Sequence, residues 1–146
     1  GESEATVADR SFPGLGVSMG NPHLVCRVSA AELNTLSLDR PPGFDAGMFP
    51  EGVNVEFVTP LGDGHMRMRV HERGSGETLS CGTGTCAVAA VALRDAGRST
   101  GEVVVDVPGG RVTVAVEGRT SWLSGPAVVV ADGDVDPDWL AAASAC

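Results

Sequence analysis

The stretch that decides the fold reads His71-Glu72-Arg73-Gly74-Ser75-Gly76-Glu77-Thr78, followed by Leu79-Ser80-Cys81-Gly82-Thr83-Gly84-Thr85-Cys86-Ala87. It predicts the end of a strand, a glycine-bearing loop and a helix from Gly82 to about Ala96. Residues 86 to 93 carry no polar stripe, and a helix that is apolar all round is buried on every side. We therefore expect an α+β fold in which a curled β-sheet, or barrel, wraps around one central helix.

The start of this helix is the candidate reactive site. Cys81 stands where the loop meets the helix, and the first helical turn has four backbone N–H groups without intrahelical partners. With the helix dipole, these groups form a site for an anion, and Gly82 and Gly84 let a ligand approach the backbone. A cysteine held there can have a pKa well below its free value of about 8.5. We therefore expect a reactive thiolate beside a carboxylate-sized pocket, the alternative being a glycine-rich helix start with a buried, inert cysteine.

The composition limits the possible functions. A chain of 146 residues fits one domain, and a net charge of −9 argues against binding to nucleic acid or to an anionic membrane surface. No window approaches the ~18 apolar residues of a membrane span, and no signal peptide opens the chain. All ten basic residues are arginine, and tyrosine is missing. This composition excludes Schiff-base chemistry and lysine-anchored pyridoxal phosphate, and we expect a cytoplasmic protein.

The four cysteines are Cys26, Cys81, Cys86 and Cys146. None shows the C-x-x-C spacing of a zinc site, so we expect no metal and read the cysteines as free thiols in a reducing compartment. We expect Cys81 to be the most reactive of them. Cys86 heads into the apolar part of the helix, and we expect it to be protected together with Cys26.

The chain divides into a linker or the end of a preceding domain at residues 1–12, one domain at 13–132 and a tail at 133–146. Two strand pieces surround an Asn-Pro turn, which places Asn21 and His23 near strand ends. An ordinary loop histidine is the alternative for His23.

The remaining elements follow from turn and capping signals. Ser29 and Glu32 form a capping-box pattern at the start of a short helix. Val53–Thr59 alternates like a half-buried strand and pairs with His65–Glu72 in a hairpin. Further strands are predicted at 102–107, 111–117, 120–123 and 127–131, and a short helix around Trp139.

Four motifs follow one another along the chain: Met19-Gly20-Asn21-Pro22-His23, Val53-Asn54-Val55-Glu56-Phe57-Val58, Glu72-Arg73-Gly74-Ser75-Gly76-Glu77-Thr78 with Ser80-Cys81-Gly82-Thr83-Gly84, and Ser124-Gly125-Pro126-Ala127. Together they resemble the C-terminal half of the diaminopimelate epimerases, over about Phe12 to Asp132. The resemblance implies two similar domains that face one another across a cleft. It implies cofactor-independent interconversion of LL- and meso-2,6-diaminopimelate, for lysine and peptidoglycan precursor synthesis.

The resemblance also implies partners and roles for single residues. The N-terminal domain of the same enzyme is the expected partner, and it supplies a second cysteine that acts with Cys81 as base and acid. A homodimer is also possible, although Ala131 stands where many relatives carry a tyrosine at their dimer contact. The catalytic positions are Cys81, Glu72 and His23. The substrate-binding positions are Asn21, Asn54, Glu72, Arg73, Gly82 and Thr83.

Two other functions remain open from the sequence. One is a proline or hydroxyproline racemase on the same scaffold, which shares the Cys-Gly-Thr-Gly turn but not the Glu-Arg lead-in or the asparagine motifs. The other is a non-catalytic domain that holds an anion at its helix start. On the diaminopimelate reading, this chain supplies one of two domains, and we expect it to be inactive alone.

Overall fold

The computed structural model of the chain describes residues 1–143. Its strands are β1 Glu2–Val7, β2 Arg10–Ser18, β3 Pro22–Arg27, β4 Gly43–Phe44, β5 Asn54–Gly62, β6 His65–Glu72, β7 Gly76–Thr78, β8 Gly101–Val107, β9 Gly110–Glu117 and β10 Thr120–Ser124. Its helices are α1 Ala30–Thr35, α2 Gly82–Asp95 and α3 Pro137–Ala143.

The strands form one mixed sheet in the order β10-β9-β8-β6-β5-β3-β2-β1-β4, and β7 pairs with β6 alone. Two pairs are parallel, β3 with β5 and β6 with β8. The central helix α2 packs against strands from both halves of the sheet, which include β2, β3, β5, β8, β9 and β10. The predicted α+β fold, a sheet curled around one central helix, is confirmed.

The core has two clusters on opposite faces of the central strands. One surrounds α2 and includes Val25 of β3 and Val58 of β5. The other includes Leu24 of β3 and Phe57 of β5, together with Leu33 of α1. The first six residues of β5 are buried, so the prediction of a half-buried strand there is wrong. The central strands are covered on both faces, which makes any polar side chain on them notable.

The sheet curls around α2 but does not close. Cys86 and Ala90 remain partly exposed on the helix, and both border an open groove that β2 and β10 flank. The expectation that the helix is buried on all sides is therefore wrong for this stripe. The helix ends as predicted, because Gly97 adopts φ +70° directly after the C-cap Ala96.

Residues 1–12, predicted as a linker or the end of a preceding domain, contain β1 and the start of β2 and take part in the sheet, while the domain bounds themselves stay a prediction. β1 pairs with β2 along its whole length, and Ala5 is fully buried. The turn between the two strands places Ala8 at φ +52°, where glycine or asparagine is usual. Because the turn carries neither residue, no hairpin was predicted at this point of the chain.

Residues 127–131 form no strand, so that prediction is also wrong. Val128, Val129 and Val130 are 80, 79 and 92 % exposed, and β-propensity without a neighbouring strand to pair with does not form a strand. The predicted short helix around Trp139 corresponds to α3, while Cys146 lies outside the described residues. Within residues 1–143, no helix has both the length and the apolar character that a membrane crossing requires.

Candidate active site

The sheet topology brings the sequence motifs together at one end of α2. His23 lies opposite Asn54 in the parallel pair of β3 and β5. The antiparallel partner of β5 is β6, which ends at Glu72. The loop after β6 leads through β7 to Cys81, the N-cap residue of α2. Residues that are far apart in the chain therefore converge where the helix begins.

Asn54 ties two of these motifs to each other. Its side chain is buried, and its Oδ1 atom accepts a hydrogen bond from the backbone N–H of Arg73 at 2.9 Å. Its amide nitrogen donates to the carbonyl of Pro22 at 3.4 Å. The Asn54 carboxamide, which was predicted to bind substrate, therefore also links the backbone at Pro22 to the backbone at Arg73.

Arg73 points from the end of β6 across Gly52. Its Nη1 atom donates to the carbonyl of Glu51 at 2.7 Å, and the side chain is otherwise exposed. Gly52 has φ +85°, and a Cβ atom there would lie 2.8 Å from the Cδ of Arg73. A guanidinium has five N–H donors in a planar fork, so one anchored nitrogen leaves donors for a carboxylate.

Glu72 is half-buried at the end of β6 and accepts a hydrogen bond from the Thr78 hydroxyl of β7. Burial is the main cause of the raised pKa of the Cys81 thiol, and the negative charge of Glu72 raises it further. Glu72 and Cys81, two of the predicted catalytic residues, therefore interact electrostatically.

Cys81 is 7 % exposed, and its Sγ atom lies 3.7 Å from the Thr83 hydroxyl. Burial raises the pKa of this thiol, and the charges of Glu72 and Glu56 raise it further. Hydrogen bonds from the Gly84 N–H and the Thr83 hydroxyl act in the opposite direction without overcoming burial. The expectation of a lowered pKa is therefore wrong, because desolvation and two carboxylates outweigh the helix terminus.

The two glycines of the helix start play different parts. Gly82 is exposed, and a Cβ atom there would meet nothing within 4 Å. At Gly84 a Cβ atom would lie 2.5 Å from Glu56 Oε1 and 3.2 Å from Cys81 Sγ. The expected approach of a ligand is therefore open at Gly82 and its exposed neighbour Thr83, whereas the space above Gly84 is filled by the protein itself.

His23 is not a loop histidine. It is fully buried in β3, and its Nδ1 atom lies 2.7 Å from Oε1 of Glu56, whose side chain is also fully buried. Its Nε2 atom lies 3.1 Å from Asn21 Oδ1, and the Asn21 amide donates to the Thr83 hydroxyl at 3.3 Å. Polar contacts thus run without a break from Glu56 through His23, Asn21 and Thr83 to Cys81.

Glu56 is the residue of this site that sequence reasoning missed. Burial raises its pKa to about 7, against the opposing effect of His23. The sequence feature that could have revealed Glu56 lies in the second motif, where one carboxylate interrupts the otherwise apolar run from Val55 to Val58. Alternation assigned that carboxylate to an exposed strand face, and only the two-sided burial of β5 shows that it lies inside the protein.

Among residues 1–143, no three histidine, cysteine, aspartate or glutamate side chains are grouped so that they could hold a metal ion. The groups that the site offers are a thiol, carboxylates, an imidazole and the backbone N–H groups of the helix start. A thiol beside N–H groups that can donate hydrogen bonds to an oxygen on which negative charge develops is suited to moving a proton on carbon.

Iodoacetamide is expected to label Cys81 and Cys86 and to leave Cys26 unmodified. Cys26 is fully buried, and its pKa is raised to about 12. Cys86 was expected to be protected as well, but it is half-buried and borders the open groove, where the reagent can approach it. Because the pKa of Cys81 is raised, its labelling rate should increase at a higher pH than that of a free cysteine. Peptide mapping over a pH series measures both effects, and labelling of Cys26 as fast as Cys81 in the folded chain would contradict them.

The curled sheet and the cysteine at the start of its central helix define the class, an α+β domain with a thiol at the start of the helix that its sheet surrounds. The family model described as Diaminopimelate epimerase matches residues 15–136. The chain belongs to the diaminopimelate epimerase family.

Curated relatives agree with this assignment. The chain is 53 % identical over 142 residues to Diaminopimelate epimerase of Rhodococcus opacus, a match that covers 95 % of the chain and 49 % of the relative. It is 52 % identical over 140 residues to Diaminopimelate epimerase of Mycolicibacterium smegmatis, with 95 % and 48 % covered. For the protein of that name from Mycobacteroides abscessus, the identity is 48 % over 152 residues, with 100 % and 52 % covered. The chain thus spans about half the length of the curated relatives it matches.

Proposed function

We propose that this chain is one of the two domains of a diaminopimelate epimerase, which interconverts LL- and meso-2,6-diaminopimelate without a cofactor. The observation that carries the proposal is the position of Cys81 at the start of α2, next to the exposed first turn at Gly82 and Thr83. Identity of about half of all residues to proteins of this name supports the choice of substrate.

The reaction breaks the C–H bond at one α-carbon and forms a new C–H bond on its opposite face. The proton passes to a thiolate of the partner domain, and the electron pair is delocalised into the substrate's α-carboxylate. The N–H groups at Gly82 and Thr83 stabilise that developing charge. The Cys81 thiol then delivers its own proton to the other face.

The raised pKa of Cys81 supports its role as the acid of the first turnover, since burial favours the protonated thiol. After delivery, Cys81 is a thiolate and the partner cysteine is a thiol, so the reverse reaction exchanges the two roles. The proton that the product carries therefore differs from the one that the substrate lost, and in D₂O the product gains deuterium.

Substrate binding is assigned to the polar groups around the helix start. Arg73 binds the distal carboxylate of diaminopimelate through the two-pronged contact that a guanidinium favours. Glu72 pairs with an ammonium group, and the carboxamides of Asn21 and Asn54 donate and accept at an amino-acid end. His23 takes part in the chemistry through its Nε2 atom, which faces Asn21.

The principal partner is the N-terminal domain of the same enzyme. Apolar side chains near the end of the described chain are exposed and available to a partner surface, among them Trp122, Leu123, Val128 and Val130. A homodimer is a further possibility, in which Ala131 would contribute less contact than a tyrosine. The free thiols Cys26, Cys81 and Cys86 suit the reducing conditions of the cytoplasm.

A chimera tests the function. This chain replaces the matching part of the Rhodococcus opacus relative, and deuterium incorporation at the α-carbon is followed in D₂O with LL-2,6-diaminopimelate and, separately, with proline. We expect exchange and epimerisation with diaminopimelate only, and their loss in the Cys81→Ala chimera. Exchange with proline would indicate a racemase, and binding of diaminopimelate without exchange would indicate a non-catalytic domain.

Arg73→Lys in the same chimera is expected to lower kcat/KM for diaminopimelate by roughly 10-fold or more, with the larger part in KM. Lysine keeps the charge but loses the planar fork and its hydrogen bond to the Glu51 carbonyl. Steady-state kinetics measure the change, and Arg98→Lys, at an exposed position beyond the end of α2, is the matched control. A kcat/KM within twofold of the unmodified chimera would exclude two-pronged binding by Arg73.

A further inference from the structure

Glu56 and His23 form a buried polar pair. The proposed reaction gives a role to His23 but none to Glu56. Both side chains are 0 % exposed, and one carboxylate oxygen lies 2.7 Å from Nδ1 of the ring. His23 lies on β3 and Glu56 on β5, the strand that pairs with β3 in parallel. A buried carboxylate is costly unless it is bonded, and the ring of His23 supplies that bond to Glu56.

The contact fixes how the imidazole can act. Nδ1 is committed to Glu56, so Nε2, 3.1 Å from Asn21 Oδ1, is the ring atom directed toward the helix start. Either the ring donates a proton from Nδ1 to a carboxylate, or a protonated Glu56 donates to Nδ1. In both cases one proton is held between the two groups, and the ring cannot rotate without breaking that bond.

The carboxylate of Glu56 also contacts the start of α2. Oε2 of Glu56 is buried and, within the described part of the chain, has no hydrogen-bond partner. Oε1 occupies the space that a side chain at position 84 would need, so the carboxylate and the first turn of α2 are in direct contact. Glu56 thus touches both the imidazole and the helix start that carries Cys81.

We propose that Glu56 is a positioning residue: its buried carboxylate holds the His23 ring through Nδ1, so that His23 meets the site only through Nε2. The ring geometry stands on the structure alone, whereas its effect on turnover rests on the proposed function. Glu56 touches no substrate atom and acts through His23.

Four titratable groups interact electrostatically with Glu56. His23 on β3 lowers its pKa and Glu72 at the end of β6 raises it, while Glu56 in turn raises the pKa values of Cys26 on β3 and of Cys81 at the start of α2. Removal of the Glu56 charge therefore changes the site in two measurable ways. It alters the proton at Nδ1 of His23, and it takes away one of the carboxylates that oppose ionisation of Cys81.

The first test is proton and ¹⁵N NMR of this chain labelled at histidine. A proton held in a short, buried contact between imidazole and carboxylate gives a far-downfield, slowly exchanging signal. We expect one such signal, assigned through its couplings to the ring of His23 and therefore independent of any variant. It should disappear in Glu56→Gln and persist in Glu102→Gln, a control at an exposed carboxylate on β8. Absence of the signal from the folded chain would overturn the proposal.

The second test measures Cys81 alkylation against pH in the same three proteins. Glu56→Gln should shift the rise in rate to lower pH, because one carboxylate near the sulfur is gone, and Glu102→Gln should not shift it. An unchanged profile in a folded Glu56→Gln chain would contradict the electrostatic contact, since a purely structural role would leave the thiol as it is.

The third test is turnover in the chimera with the Rhodococcus opacus half. Glu56→Gln should lower kcat about 10-fold or more while KM for diaminopimelate stays within twofold, because the ring acts on the proton and not on binding. An unchanged kcat would contradict the effect on turnover. A chimera inactive without any substitution would instead refute the proposed function, and the NMR signal would still decide the ring arrangement.

Discussion

This chain alone is expected to produce no meso-diaminopimelate from the LL isomer. Inversion requires one group to remove the proton from one face of the α-carbon and another to deliver a proton to the opposite face. A carbon held by its carboxylate at the start of α2 presents only one face to Cys81. The chain has no lysine or tyrosine to act on the other face. His23 is fixed by Glu56 on the same side of the site.

The assay compares the purified chain with the chimera under the same conditions. The chain should still bind a carboxylate weakly at Gly82 and Thr83, because its two core clusters are built entirely from its own residues. Addition of the separately made Rhodococcus opacus half is expected to restore part of the turnover. Turnover by the chain alone at the rate of the chimera would refute the two-thiol mechanism.

Gly84→Ala is expected to lower the free energy of unfolding by about 1–3 kcal/mol, the usual cost of overpacking a dense site. The new methyl group would lie 2.5 Å from an oxygen of Glu56, a buried side chain held by His23. The carboxylate cannot move aside without breaking that contact, so the first turn of α2 must shift. The shift should also disturb the Cys81 thiol, which lies 3.2 Å from the same methyl group.

Gly82→Ala is the matched control for this substitution. Its methyl group meets nothing within 4 Å, and alanine favours a helix over glycine by up to about 1 kcal/mol. Urea unfolding of both variants measures the difference, with Cys81 alkylation as the local readout. If Gly84→Ala were as stable as Gly82→Ala, with unchanged alkylation, the carboxylate would not fill the space above residue 84.

Local patterns in the sequence were sufficient for the elements that build the site. The apolar run after Cys81 predicted α2, and the stretches Val53–Thr59 and His65–Glu72 predicted the hairpin of β5 and β6. The capping box of Ser29 and Glu32 is present as predicted, with both reciprocal hydrogen bonds formed. These features depend on residues within a few positions of one another, which is why a sequence pattern reveals them.

The features that were missed depend on distant parts of the chain. The pKa of Cys81 is raised mainly by burial in the folded chain, and further by carboxylates that strands β5 and β6 bring to it. The burial of Glu56 is decided by clusters on both faces of β5. The hairpin of β1 and β2 forms although its turn contains Ala8 in place of glycine. In each case tertiary contacts override the local signal.

The parallel pairing of β3 and β5 also governs how the chain can change in length. His23 and Glu56 meet because β3 and β5 are held in one register, although residues 28–53 separate the two strands. An inserted residue within β3 would turn the side chains on one side of it to the opposite face, so His23 and the residues after it could not both keep their register with β5. The exposed residues 45–48 lie in the connection, where added chain costs little because loop closure depends only weakly on length. The site therefore tolerates insertions and deletions in its connection far better than in its strands.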